Sequence, residues 1–374
     1  MISRKDVERL AAFRSDDGVV SAYVRIDPKL VYDRQAHAAQ FKGAVRAFLR
    51  ANKNGAWQAV LERESGRILR FLEERLPSGR GLAIFACQPA GLWEALTLQV
   101  PVPSFIDVGP SPSIEVLARI LDEYPRFAVV VVQRDAARIY LSEQRQADAG
   151  AVVEVTSDVP GWHDQGGWAQ ARFQRHIEVH VQRHLREVAD ELERLFYERP
   201  FSRLTVGGSP EAVDEFLALL PEPVARCVVG TFPVDLKHDS EEAVLERARQ
   251  VGDEAERRSE AELVTRALEA AASGGRGAAG LDETLRAVAE ARVHTLLVAD
   301  GLVREGAVCP ACGHLAAEPV PRCPLCGAEA EAVSDVIERA VERAFLAGAH
   351  IETVLGPARQ RLLENGGLAA ILRY

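Results

Sequence analysis

Two pairs of cysteines constrain this chain more than any other feature. Cys309-Pro-Ala-Cys312-Gly and Cys323-Pro-Leu-Cys326-Gly are matched knuckles, ten residues apart. Each C-x-x-C lets two thiolates reach one tetrahedral ion, and the glycine that follows permits the turn that aims amides at the sulfurs. Four thiolates complete the coordination of Zn²⁺ and leave no open position, so the spacing predicts one structural zinc in a ribbon over residues 305–330. A redox C-x-x-C pair is the alternative. His314 lies close by, but four sulfurs suffice without it. Cys87 and Cys227 stand in apolar runs and are read as small buried hydrophobes.

The remainder of the 374 residues alternates strand-like and helix-like segments, with enough hydrophobic residues (47%) for two or three cores. In residues 1–108, Val19–Ile26, Gly81–Cys87 and Leu96–Val100 are strand-like, while Ala36–Ala51 and Trp57–Leu76 are helical. The proline-rich stretch Pro101–Pro112 is expected to be a linker. In residues 109–250, Phe127–Val132 is a continuous apolar run of the buried-strand type, and Ala137–Leu141 is expected to pair with it as a hairpin. Residues 251–374 hold further helices and strands around the cysteine cluster, after an expected flexible break at Ser273–Gly277. The alternation argues for three α/β domains, each a mixed sheet with helices, the last an α/β sandwich with the zinc ribbon inserted.

One loop and its helix carry the functional signal. Gly161–Gly167 places two tryptophans, counting Trp168, and two adjacent glycines beside a strand-like run, Ala151–Thr156. Behind it, at about 100° per residue, Ile177, Val181, Leu185, Val188, Leu192, Leu195 and Phe196 fall on one helix face. Arg172, Arg175, His176, Arg183 and Arg186 fall on the other. A helix with a packed back and a basic front suits presentation of a loop to a polyanion, although a solvated face would have the same pattern. His163 and Asp164 are adjacent and could do acid–base work, or be an ordinary loop pair. The loop lacks the Gly-x-x-x-x-Gly-Lys of a phosphate loop, and no Ser/His/Asp arrangement stands out.

The bulk composition narrows the function classes. A net charge of −10 rules out coating nucleic acid by overall charge, so any RNA contact rests on local basic patches. No run of about 18 apolar residues is present, and the start, Met1-Ile2-Ser3-Arg4-Lys5-Asp6, has no apolar signal region. With the cysteine usage, this points to a reducing cytoplasm and to no membrane partner.

Gly166-Gly167-Trp168-Ala169-Gln170-Ala171-Arg172-Phe173-Gln174-Arg175 resembles the Gly-Gly-Gln-Ser-x-x-Arg-Phe-x-Arg segment of archaeal and eukaryotic class-1 peptide release factors. The preceding strand, the long helix and a strand with a Gly-Gly turn at Leu204–Gly208 are similar to that family's middle domain. Asp300 to Cys326, Glu338, Gly348-Ala349, Ile351-Glu352 and Gly366–Tyr374 look like its third domain, of the kink-turn-RNA-binding type. The chain looks closest to the bacterial branch of this superfamily, with its Pelota-, Vms- and Balon-like members. The resemblance implies a ribosomal A-site binder that contacts rRNA and tRNA, with a translational GTPase as candidate partner. It makes Gly166, Gly167 and Gln170 the candidate catalytic residues for peptidyl-tRNA hydrolysis. Trp168, Arg172, Arg175, His176, Arg183 and Arg186 become the RNA contacts. Two departures matter. Trp168 occupies the place of the family's glutamine, and Gln170 lies two residues later. Asn52-Lys53-Asn54-Gly55, the equivalent of the family's stop-codon-reading loop, lacks Asn-Ile-Lys-Ser, so stop-codon decoding is not expected. The alternative to a hydrolase is a non-catalytic ribosome-binding hibernation factor.

Overall fold

The computed structural model describes residues 2–27, 34–52, 57–75, 79–123, 126–142, 153–156, 168–236 and 238–374. The chain divides into two compact units: residues 1–123 with 260–374, and residues 124–259. The sequence places divisions near 108 and 250. The first and last stretches therefore fold into one unit, each with a sheet of its own.

The first stretch of unit 1 contains α1 (Arg4–Ala11), β1 (Val19–Arg25), α2 (Arg34–Ala51), α3 (Gln58–Glu74), β2 (Gly81–Cys87), β3 (Leu92–Leu98), β4 (Phe105–Gly109) and α4 (Glu115–Glu123). A capping box sets where α1 begins: the Ser3 hydroxyl accepts from the Asp6 amide and the Asp6 carboxylate from the Ser3 amide. The sheet runs β3-β2-β1-β4 and every pairing in it is antiparallel, so it is not the mixed sheet that alternation suggested. Phe41, Leu61, Ile68 and Leu72 of α2 and α3 pack on Val20, Ala22 and Val24 of β1 and on Ile84 of β2.

Pro101–Pro112 is not a linker. Within it, β4 pairs with β1 from Val19↔Gly109 to Tyr23↔Phe105. Pro101, Pro103, Pro110 and Pro112 flank a strand they never enter. Proline lacks an amide to donate, so it can bound an edge strand but cannot sit within its ladder. Tyr23 stacks on Phe105 with ring centroids 4.8 Å apart, which closes this edge.

Unit 2 contains β5 (Phe127–Val132), β6 (Ala136–Ser142), β7 (Val153–Thr156), α5 (Trp168–Glu198), β8 (Arg203–Gly208), α6 (Pro210–Leu217), α7 (Glu222–Ala225), β9 (Val228–Pro233) and the first part of α8 (Glu241–Ala272). Its sheet runs β7-β6-β5-β8-β9, with β5, β8 and β9 parallel and β6 antiparallel to both neighbours, as the expected hairpin requires. Period-2 alternation along β5 explains its unbroken apolar run. Ala128, Val130 and Val132 face the core under α5, while Val129 and Val131 join Tyr140, Phe232, Val244 and Ala248 on the other side. Gly207 and Gly208 end β8 and pair with β5 and β9, so they extend the ladder where the sequence suggested a turn.

The last stretch of unit 1 contains β10 (Gly277–Ala279), α9 (Leu281–Ala289), β11 (Val293–Ala299), β12 (Gly306–Val308), β13 (Leu315–Ala316), β14 (Glu331–Val333), α10 (Val336–Leu346), β15 (His350–Val354), α11 (Gly356–Glu364) and β16 (Leu368–Leu372). The expected break at Ser273–Gly277 is short, because Gly277 already pairs with Ile371. The sheet runs β10-β16-β11-β15, and a separate three-stranded sheet, β13-β12-β14, carries the cysteines.

Buried charge joins β4 and α4 to α10 inside unit 1. The Glu338 carboxylate accepts from the Ile114 amide at 2.6 Å and from the Glu115 amide at 3.2 Å. These amides open α4, where unpaired N–H groups and the helix dipole favour an anion. Arg339 pairs with Glu342 at 3.0 Å and lies 3.8 Å from Asp107. Burial, with the charge of Asp335 adding to it and Arg119 opposing, raises the Glu115 pKa to about 7. Burial and the neighbouring Glu115 likewise push the Glu338 carboxyl well above the usual carboxylate range. Among the described residues, no helix is long and apolar enough to cross a membrane.

Candidate functional site

The loop of interest leads into α5, whose backbone helix begins at Trp168 and runs for 31 residues to Glu198. Gly161–Gly167, and with them His163, Asp164, Gly166 and Gly167, lie outside the described residues. Trp168, Gln170, Arg172, Arg175 and His176 belong to the first turns of α5, but the positions of their side chains, like that of Ile177, are outside the description. The Lys53–Gly55 part of the presumed decoding loop is outside it too, while Asn52 follows the end of α2.

From Glu178 onward, α5 has the two faces that periodicity predicted. Val181, Leu185, Val188, Leu192 and Leu195 are buried against β5, β6 and β8, with Phe196 partly buried beside them. At roughly 1.5–3 kcal/mol for each fully buried side chain, this apolar stripe dominates the docking of α5. His184 is buried at the margin of the stripe. Burial lowers its pKa, and its ring is bonded to the backbone of Ala136 at the start of β6. That bond ties the middle of α5 to the sheet.

On the opposite face, Arg183 and Arg186 are exposed. The face is not purely basic. Glu187 approaches Arg183 at 3.9 Å, and the Arg183 guanidinium lies 3.1 Å from the His180 ring. Val179 sits among these cations and is 66% exposed. An exposed branched aliphatic between arginines suits a surface that meets sugars or bases as well as phosphates. Beyond Glu187, Arg194 is held between Glu191 and Glu198 at 2.5 Å each, so acids offset the positive charge there.

The four cysteines form the second site, in unit 1. All are free thiols, and their Sγ atoms lie within 4.8 Å of one another. Cys309 and Cys326 are 3.5 Å apart, as are Cys312 and Cys323. An ion with bonds of about 2.3 Å to four sulfurs would set them about 3.8 Å apart. The two knuckles are built alike. The Gly313 amide donates to the Cys309 carbonyl at 2.8 Å and the Gly327 amide to the Cys323 carbonyl at 3.0 Å. Both glycines sit at φ 74°, a left-handed conformation that the turn requires and L side chains rarely adopt. The amide on Cys312, aimed at the Cys309 sulfur, holds that thiol down at about 6. His314 takes part through its carbonyl, which accepts from the Cys309 amide at 2.9 Å. Arg343 of α10 donates to the Gly313 carbonyl, which docks the first knuckle on the body of the unit. The donor set, its spacing and its amides suit one tetrahedral ion.

A third group carried no motif. Asp122, His350 and Glu352 bring ligand atoms within 4.8 Å of one another in unit 1. Only the alternation of His350 and Glu352 along a strand was visible in the sequence, and Asp122 comes from a distant stretch.

The comparisons bear most directly on the loop and helix. Residues 112–253 match the family described as Bacterial archaeo-eukaryotic release factor family 10. Over 281 residues the chain is 28% identical to peptide chain release factor subunit 1 of Archaeoglobus fulgidus, covering 69% of this chain and 68% of that one. Its identity to the Methanopyrus kandleri protein of the same name is 27% over 331 residues, covering 83% and 78%. Among solved structures, a ribosome-bound archaeal Pelota aligns over 100% of this chain and 94% of its own at 15% identity, with a TM-score of 0.42. The family match over residues 112–253 and the two release-factor relatives bear out the resemblance to the bacterial branch of the class-1 release factor superfamily.

Proposed function

We propose that this chain is a ribosome-associated translation factor that enters the A site and hydrolyses the ester of peptidyl-tRNA on stalled ribosomes. The observation that carries this reading is the loop-bearing α5, lying within the residues that match the release-factor family. Its apolar back is packed on the sheet and its front keeps exposed cations. Gly166 and Gly167 let the backbone pass into a narrow RNA-lined site, and Gln170 positions water on the ester. Such catalysis needs positioning and polar stabilisation rather than a charged nucleophile. Trp168 stacks on a base or ribose, and Arg172, Arg175, His176, Arg183 and Arg186 hold phosphates. The partners are the ribosome, its rRNA and tRNA, with a translational GTPase as the candidate for delivery.

Cys309, Cys312, Cys323 and Cys326 hold one Zn²⁺, whose work here is structural. Bound there, it would hold the two knuckles together, while Arg343 docks the first knuckle on α10.

Peptide release from stalled ribosome complexes tests the hydrolase reading. Wild type should release peptide above background, and Gln170→Ala should not. Equal background release from both proteins removes the enzyme and favours the second reading, a non-catalytic hibernation factor. One observation speaks for that reading: Trp168 stands where the family's glutamine stands. It predicts stable co-sedimentation with vacant ribosomes and no turnover.

A further inference from the structure

We infer that Asp122, His350 and Glu352 form a divalent-cation site of the zinc type in unit 1, separate from the four cysteines. His350 and Glu352 stand two apart on β15, so their side chains leave the same face. Asp122, near the end of α4, meets them there. The His350 Nε2 atom lies 3.5 Å from one Asp122 oxygen and 3.3 Å from one Glu352 oxygen. All three ligand atoms lie within 4.8 Å of one another. Both carboxylates are buried, whereas the His350 side chain is 55% exposed and leaves room for water as a fourth ligand.

The competing explanation is a protonated imidazole paired with two acids. Both separations, 3.5 and 3.3 Å, also fit ion pairs from an imidazolium, and the metal titration below separates the two. Bonds of about 2.0–2.1 Å to nitrogen and oxygen set tetrahedral ligands about 3.3–3.4 Å apart, close to the two separations from His350.

The surroundings have the outer shell that a metal site needs. The second oxygen of Asp122 accepts from the Thr353 amide at 2.8 Å, which fixes the orientation of that carboxylate. Glu260, whose carboxylate lies within 4.8 Å of that of Glu352, accepts from the Leu355 amide at 2.9 Å and adds negative charge beside the site. A bound ion would clasp α4 to β15, an edge strand whose other side pairs with β11.

Mn²⁺ is the probe, because four thiolates do not select a hard ion while carboxylates do. The full-length chain is titrated with Mn²⁺, and the free ion is followed by its electron paramagnetic resonance signal. Wild type and Cys309→Ser should bind one equivalent, which Zn²⁺ then displaces. His350→Ala and Glu352→Gln should weaken binding by more than the roughly 10–100-fold that loss of an outer-shell partner costs. Circular dichroism of His350→Ala, a change at an exposed ring, checks that the fold persists. The same isotherm for wild type and both variants, no binding by wild type, or no displacement by Zn²⁺ would overturn the site.

Discussion

Replacing Glu115 by glutamine should make unit 1 less sensitive to rising pH between about 4.5 and 7. Glu115 opens α4 with its carboxyl against that of Glu338, and its pKa is raised from 4.5 to about 7. The folded state thus keeps a proton that the unfolded chain loses as pH rises through 4.5. Over the interval up to about 7 the folded state binds more protons, so stability falls as pH rises. At about 1.4 kcal/mol per pH unit, the difference approaches about 3 kcal/mol. That is a ceiling, because Glu338 shares the same proton inventory. Glutamine copies the protonated form: uncharged, of the same shape, and able to donate to Glu338. Near pH 5, just above the unfolded value, wild type and Glu115→Gln should differ by less than about 1 kcal/mol. By pH 8 the variant should be the more stable, by up to about 3 kcal/mol. Urea unfolding from pH 5 to 8, with hydrogen exchange of α4 and α10 as the local readout, measures this without assuming that both units melt together. Parallel pH profiles for the two proteins would refute the claim that Glu115 holds its proton.

Two further outcomes follow from the sites. Arg186→Ala removes an exposed cation from α5; it should weaken ribosome binding and lower the slope of log affinity against log salt by about 1, as loss of one phosphate contact does. An unchanged slope in salt-titrated sedimentation would take Arg186 out of the RNA interface. Cys309→Ser removes a thiolate at the base of the first knuckle; zinc per chain, measured by atomic absorption after dialysis, should fall by one equivalent relative to wild type. Full retention would argue against a four-sulfur site.

Much of this protein was legible in its local sequence. The continuous apolar run of β5, the stripe from Val181 to Leu195 and the two C-x-x-C-Gly knuckles are short-range patterns, and the backbone obeys them. Period 2 and period 3.6 are properties of the elements themselves, so they survive whatever the elements pack against. The family resemblance of the loop was equally legible, because it rests on contiguous residues.

Long-range pairing decided the rest. Pro101–Pro112 has the composition of a linker and became an edge strand only because β1 offered it a ladder. Glu115 and Glu338, or Asp122 and His350, are ordinary surface residues in a one-dimensional reading. Folding brings α10 to the start of α4 and β15 to its end, and so removes those carboxylates from water. Desolvation depends on which segments meet, and a pattern within one segment does not carry that information. The sequence by itself therefore determined the elements, the cysteine cage and the kinship of the loop. The tertiary structure alone decided which charges are buried together, and with that which carboxyls keep a proton.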